Sequence, residues 1–170
     1  REARAAMAVL GVADLRVLGL PDGGLDHIDD AIGAAIVGDV LDAIRPDTVL
    51  TFGPDGITGH PDHIAVGGWV ALAVERLRPR PRVLQAALST RHLERFGPHY
   101  EAWGVWMSDE RPRGVAPENL AIDVELDGDD LDRKVSALEA MASQTMASIA
   151  ALGRELFVAE AAAEAYVDMR

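Results

Sequence analysis

Two histidines three positions apart, His60 and His63, carry the residue types in this chain best suited to chemistry. They close the run Gly53-Pro54-Asp55-Gly56-Ile57-Thr58-Gly59-His60-Pro61-Asp62-His63. Proline is favoured at the first helical position, where its missing N–H has no partner to lose, so a helix is predicted to start at Pro61. Residues three apart on a helix share a face, so both imidazoles can address one point. Neutral imidazole is the commonest metal ligand, and a catalytic zinc takes three protein ligands and a water. This turn can supply one or two of them, with Asp62 placed to orient a histidine through its other ring nitrogen. The same spacing also fits a helix cap with two surface histidines, because His-x-x-His arises readily by chance.

The flanking sequence says what must hold that turn. An apolar, β-branched run at Thr48–Phe52 reads as a strand, and glycines 53, 56 and 59 allow a tight turn after it. Ligands of open α/β sheets bind at such carboxyl ends of strands. The helix from Pro61 is predicted to run to about Leu77, ended by Pro79 and Pro81. Upstream, a helix over Glu2–Leu10 is closed by Gly11, followed by a buried strand at Leu15–Leu20 and a turn at Pro21-Asp22-Gly23-Gly24. Ile28, Ile32, Ile36, Val40 and Ile44 predict a helix from about Asp29 to Ile44. Gly33 and Gly38 weaken it intrinsically and suit a close approach to a sheet.

Downstream, Val83–Leu88 reads as a strand and Ser89–Asn119 as the least regular stretch. Its Phe96, Tyr100, Trp103 and Trp106 either line a substrate cleft or anchor a long loop on the core. Leu120–Leu126 alternates like a half-exposed strand. One long helix is expected from Asp129 or Asp130 through Ile149; the tail is left open, Glu155–Val158 fitting a continuation of the helix and Ala165–Met169 a last strand. Alternating strands and helices predict one α/β domain over residues 1–170, a three-layer sandwich.

Charge and composition narrow the partners. Sixteen basic against 28 acidic side chains leave a net charge of −12, a field that repels nucleic acid and anionic membrane surfaces. No cysteine is present, so a metal would have to use His, Asp or Glu. No apolar run approaches the roughly 20 residues of a membrane span, and no signal peptide is recognisable, which predicts a cytoplasmic protein. The chain starts at Arg1 inside a helical pattern, so its start reads as a cut. Oligomeric state is left open.

The run Gly53-Pro54-Asp55-Gly56 with Gly59-His60-Pro61-Asp62-His63 resembles the second signature of the PIG-L/LmbE-like zinc-dependent N-acetyl-sugar deacetylases. Leu18-Gly19-Leu20-Pro21-Asp22-Gly23-Gly24-Leu25 resembles the family segment upstream of it. Lys134, Ala137, Leu138, Ser143 and Gln144 resemble its late helix. The resemblance implies a Rossmann-like, mostly parallel sheet with zinc at its carboxyl edge and an N-acetylglucosaminyl conjugate as substrate. It implies that His63 is a zinc ligand and that His60, protonated, stabilises the tetrahedral intermediate and helps the amine leave. Asp22 would line the sugar pocket, while Asp55 and Asp62 would support the loop.

The family's first signature, a His-Pro-Asp-Asp-Glu run bearing the other ligands and the general base, is absent from these 170 residues. Asp26-His27-Ile28-Asp29-Asp30 is no substitute, since it begins a helix whose N-terminus favours acids. Thr58 stands where some members have tyrosine, and Met141 where a late-helix histidine is common. The expectation is a chain truncated ahead of the family's second helix, lacking its first strands and inactive alone. Apolar surface left bare by those strands predicts aggregation or swapping. The alternatives are a non-catalytic sugar-binding or structural remnant, and a metal-dependent phosphoesterase.

Overall fold

The computed structural model describes residues 1–169. In chain order it contains α1 (Glu2–Leu10), α2 (Asp30–Ile44), β1 (Thr48–Phe52), α3 (Gly56–Gly59), α4 (Pro61–Val74) and β2 (Arg82–Ala86). Then follow α5 (Thr90–Trp103), β3 (Ile122–Glu125), α6 (Gly128–Glu139), α7 (Ala142–Leu152), α8 (Arg154–Ala161) and β4 (Ala163–Asp168). The α/β class expected from the sequence holds. The strands form an open mixed sheet of order β1-β2-β4-β3. β1 and β2 are parallel, in register from Thr48 opposite Arg82 to Phe52 opposite Ala86, and β2 and β4 are antiparallel. No helix among the described residues is long and apolar enough to cross a membrane.

The chain divides into two compact units. The one that matters for the histidine turn comprises, among the described residues, 20–123 and 165–169. Its centre is the packing of α2 on α4. The Asp29 carboxylate starts α2 by accepting from the Ala31 and Ile32 amides, which leaves two fewer orphan donors at that end. Gly33 then lies directly under Trp69. A Cβ at residue 33 would stand 2.0 Å from a carbon of that ring. Trp69 is 1% exposed, and its indole Nε1–H donates to the Asp30 carboxylate at 3.2 Å. The close approach expected of Gly33 is thus made to a helix, not to a sheet. Leu41, Val70, Ala73, Val74 and Val83 form the core beneath. β1 is the edge of the sheet, and Leu50 on it is 60% exposed.

The other unit comprises residues 1–19 and 124–164. In it α1 packs on α6, and Val135, Phe157 and Ala161 form a second core. Gly11 ends α1 in the left-handed conformation, φ 74°, as its glycine predicted. The single long helix expected through Ile149 is broken at Ala140 and Met141. The Thr145 hydroxyl fills the break by donating to the Leu138 and Met141 carbonyls. Glu2 caps the restarted helix by accepting from the Ser143 amide and hydroxyl, bonds that hold its carboxyl below the ordinary range.

Two further expectations fail. Leu15–Leu20 forms no strand: none of the described strands pairs with it, and Val17 and Leu18 are 70% and 49% exposed. Without a ladder partner an apolar run has no reason to stay extended. Conversely, part of the stretch read as irregular is the helix α5. Ser89 caps it by accepting from the His92 amide, and His92, Phe96 and Tyr100, at i, i+4 and i+8, are its buried side. Phe96 and Tyr100 are therefore core residues, whereas Trp103 is 39% exposed.

Candidate functional site

β1 ends at Phe52, and the chain turns through the single kinked helical turn α3 before α4 begins at Pro61. Asp55 caps α3: its carboxylate accepts from the Ile57 amide at 3.1 Å. Ile57 itself adopts φ 66°, ψ −58°, a backbone region costly for a β-branched side chain. The strain yields a test. Ile→Gly at an ordinary half-buried position would cost about 2 kcal/mol or more. At residue 57, relief of about 1–3 kcal/mol of strain should cancel that loss. Chemical denaturation should place Ile57→Gly within about 1 kcal/mol of the parent, and a larger loss would show the backbone to be relaxed.

The two histidines lie face to face, ring centroids 4.5 Å apart and 18° from parallel, yet they present opposite groups outward. His60 is the N-cap of α4, its Nδ1 accepting from the Asp62 amide at 3.1 Å. In the neutral ring that places the proton on Nε2. His63 Nδ1 lies 3.1 Å from the Gly56 carbonyl. A carbonyl only accepts, so Nδ1 carries the hydrogen and Nε2 is left as a lone pair. One imidazole thus offers an N–H and its neighbour a ligand nitrogen. Burial pushes the His63 pKa down and exceeds the opposing pull of the Gly56 carbonyl, which favours the neutral ring.

Asp62 lies between them in sequence, and its buried carboxylate bonds to neither ring. Its carboxylate accepts from the Gly23 amide at 2.8 Å and the Leu25 amide at 2.9 Å. Burial opposes its ionisation, but those two bonds and the neighbouring imidazoles outweigh it and hold the carboxyl below the ordinary range. Asp62 therefore ties the Pro21–Leu25 turn to the start of α4. Asp22 sits exposed in that turn, on a segment fixed relative to the histidines.

Other neighbours were not legible in the sequence. The face of His63 opposite His60 is covered by Phe52, centroids 3.9 Å apart and 3° from parallel. The Thr58 carbonyl accepts from the Met107 amide at 2.7 Å, and Ser108 packs against Gly59 so closely that a Cβ there would lie 2.6 Å from its hydroxyl. The segment after α5 is thereby seated beside the turn. A groove of about 950 Å³ borders the turn at Pro54 and Ile64 and continues past Gly67, Gln85, Leu120 and Val167, but neither histidine is among the residues that line it.

The metal expected at His63 can be tested against this donor set. The Nε2 lone pair fits a first ligand, with its tautomer set by a carbonyl as zinc-binding histidines require. Among the described residues, however, no group of three or more His, Asp or Glu stands together to hold an ion. The fit is that of one donor, not of a whole site.

Comparison with known proteins agrees with the motif. Residues 1–74 match the family described as PIG-L: GlcNAc-PI de-N-acetylase. The chain is PIG-L/LmbE-like. The matched stretch of this PIG-L/LmbE-like chain contains Asp22, Asp55, His60, Asp62 and His63. Among curated relatives, a 1D-myo-inositol 2-acetamido-2-deoxy-alpha-D-glucopyranoside deacetylase of Mycobacterium sp. (strain KMS) is 30% identical, over 90% of this chain and 55% of its own length. A relative of the same description from Acidothermus cellulolyticus is 33% identical, over 84% of this chain and 57% of its own length. A probable N-acetyl-alpha-D-glucosaminyl L-malate deacetylase 2 of Bacillus subtilis (strain 168) is 37% identical, over 52% of this chain and 40% of its own length. The PIG-L/LmbE-like chain thus spans about half the length of the curated relatives it matches.

Proposed function

We propose that this chain carries one wall of an amide-hydrolase site that removes the acetyl group from an N-acetylglucosaminyl conjugate. The observation that carries the reading is the pair of stacked imidazoles with opposite tautomers, one N–H and one lone pair side by side. Acyl transfer needs both kinds of group: a donor for the charge that develops on oxygen and nitrogen, and an electrophile held at the carbonyl. His63 is the residue that would hold a zinc ion, through Nε2. Such an ion, when bound, polarises the amide carbonyl and lowers the pKa of a water.

The roles of this chain's own residues follow from their bonds. His60 donates a hydrogen bond from Nε2 to the amide as it becomes tetrahedral, and gives that proton to the departing amine while regaining the one lost by the attacking water. Asp22 meets the sugar from the turn that Asp62 anchors, and Asp55 holds α3 in place. The relatives named for acetamido-glucoside deacetylation support the substrate class. Because one imidazole lone pair does not hold a catalytic ion, the 170 residues by themselves are proposed to be inactive. Turnover requires the further donors that a whole site supplies.

The test is acetate release from an N-acetylglucosaminyl conjugate by the protein that carries this chain with a complete ligand set. His63→Ala is expected to lose both bound zinc and acetate release. Stoichiometric zinc after that substitution would overturn the assignment of His63. Conjugate binding without any acetate release would leave a non-catalytic sugar-binding protein, and phosphate release from a phosphorylated conjugate would make it a phosphoesterase.

A further inference from the structure

We propose that Phe52 is a positioning residue: seated by Gly67, its ring fixes the plane of the His63 imidazole and so the direction of its free Nε2. The inference rests on the reading of His63 given above and deepens it. Gly67 follows His63 by four residues, so both lie on the side of α4 that meets the end of β1. A Cβ at residue 67 would stand 2.7 Å from the Phe52 carbonyl oxygen. Only a residue without a side chain lets the helix come that close to the strand. One turn back along the helix, that approach lays the His63 ring flat on the Phe52 ring, 3.9 Å between centroids and 3° from parallel.

The remaining freedoms of the imidazole are then closed one by one. Its second face is covered by His60, and Nδ1 is held by the Gly56 carbonyl. A half-turn of the ring would put a carbon opposite that carbonyl and lose the bond. Tilting the ring would break contact with Phe52. Only Nε2 remains uncommitted, in a fixed direction and with its lone pair available. Phe52 touches no reacting group in this scheme; it acts through His63.

Nitrogen-15 NMR of the histidine side chains, at a pH where His63 is neutral, tests this without metal or substrate. The parent chain should show His63 as the Nδ1–H tautomer, with its ring protons shifted upfield by Phe52. Phe52→Leu should remove the upfield shift and raise the population of the other tautomer roughly three- to tenfold, the range that loss of a ring stack allows. Phe52→Tyr keeps the ring and should restore both signatures. Should Phe52→Leu fail to fold, Phe52→Met, closer in volume, provides the same readout.

Tautomer populations in Phe52→Leu or Phe52→Met equal to those of the parent, with the upfield shift gone, would overturn the proposal. A merely structural role for Phe52 would lower stability and leave the tautomer alone. Failure of the acetate assay leaves these signatures readable, and failure of the signatures leaves the acetate assay unaffected, so the two readings fall separately.

Discussion

Alanine in place of Gly33 should unseat Trp69 and lower the stability of its unit by about 3–5 kcal/mol, the range for losing a buried tryptophan from a core. The added methyl carbon would lie 2.0 and 2.1 Å from two carbons of the indole, far inside any permitted contact. Neither partner can yield cheaply. Trp69 is enclosed at 1% exposure, and moving it breaks the bond from its Nε1 to Asp30. Better helix propensity returns only about 1 kcal/mol, so the clash decides the sign. Gly38, on the same helix, supplies the control. A Cβ there meets only the Ala73 methyl, at 3.9 Å, an ordinary contact, so Gly38→Ala should stabilise by about 0.5–1 kcal/mol. Denaturant midpoints of the two variants are expected to move in opposite directions. A mild effect at Gly33 would mean that α2 and α4 do not pack as described.

In the protein that carries this chain with a complete ligand set, replacing His60 should reduce the proposed acetate release by about 10²–10⁴-fold without loss of the zinc proposed at His63, the scale on which one positioned proton donor contributes. The residue has a second role that must be separated from the first. Its Nδ1 caps α4, and losing a cap costs about 0.5–2 kcal/mol. His60→Ala removes both functions. His60→Asn keeps a side chain that caps well but lacks the imidazole N–H. Both variants should lose acetate release alike, and only alanine should lower the melting temperature appreciably. Turnover retained by His60→Asn would confine this residue to its structural role.

How far the sequence could be read follows the range of the interactions involved. The strand at Thr48–Phe52 and the helix start at Pro61 were legible because their signals are local: β-branched residues, a glycine turn, a proline at the first helical position. The start of α2 was equally plain, since Asp29 acts on amides two and three residues ahead. α5 was obscured by Gly97 and Pro98 within it, although Ser89, the four-residue spacing of His92, Phe96 and Tyr100, and Gly104 were all available as signals. The apolar run at Leu15–Leu20 misled because strand formation depends on a neighbour that local sequence does not name.

Within the candidate site the division is the same. The spacing of His60 and His63 announces a pair of imidazoles, but their opposite tautomers depend on Gly56 and on the helix backbone. Phe52 carries no chemical signal of its own; its importance comes from the helix approach that Gly67 permits. The partners of Asp62 lie 39 and 37 residues away, beyond anything a spacing rule can reach.

That last contact has a mechanical consequence. A single buried carboxylate holds two amides of the Pro21–Leu25 turn, a segment otherwise short of regular hydrogen bonds. The Gly23 and Leu25 N–H groups are therefore shielded from solvent deuterium for as long as the first turn of α4 stays wound, and they open when it unwinds. A stretch with the composition of slack chain keeps time with the helix, and the segment that bears Asp22 moves with the histidines as one piece.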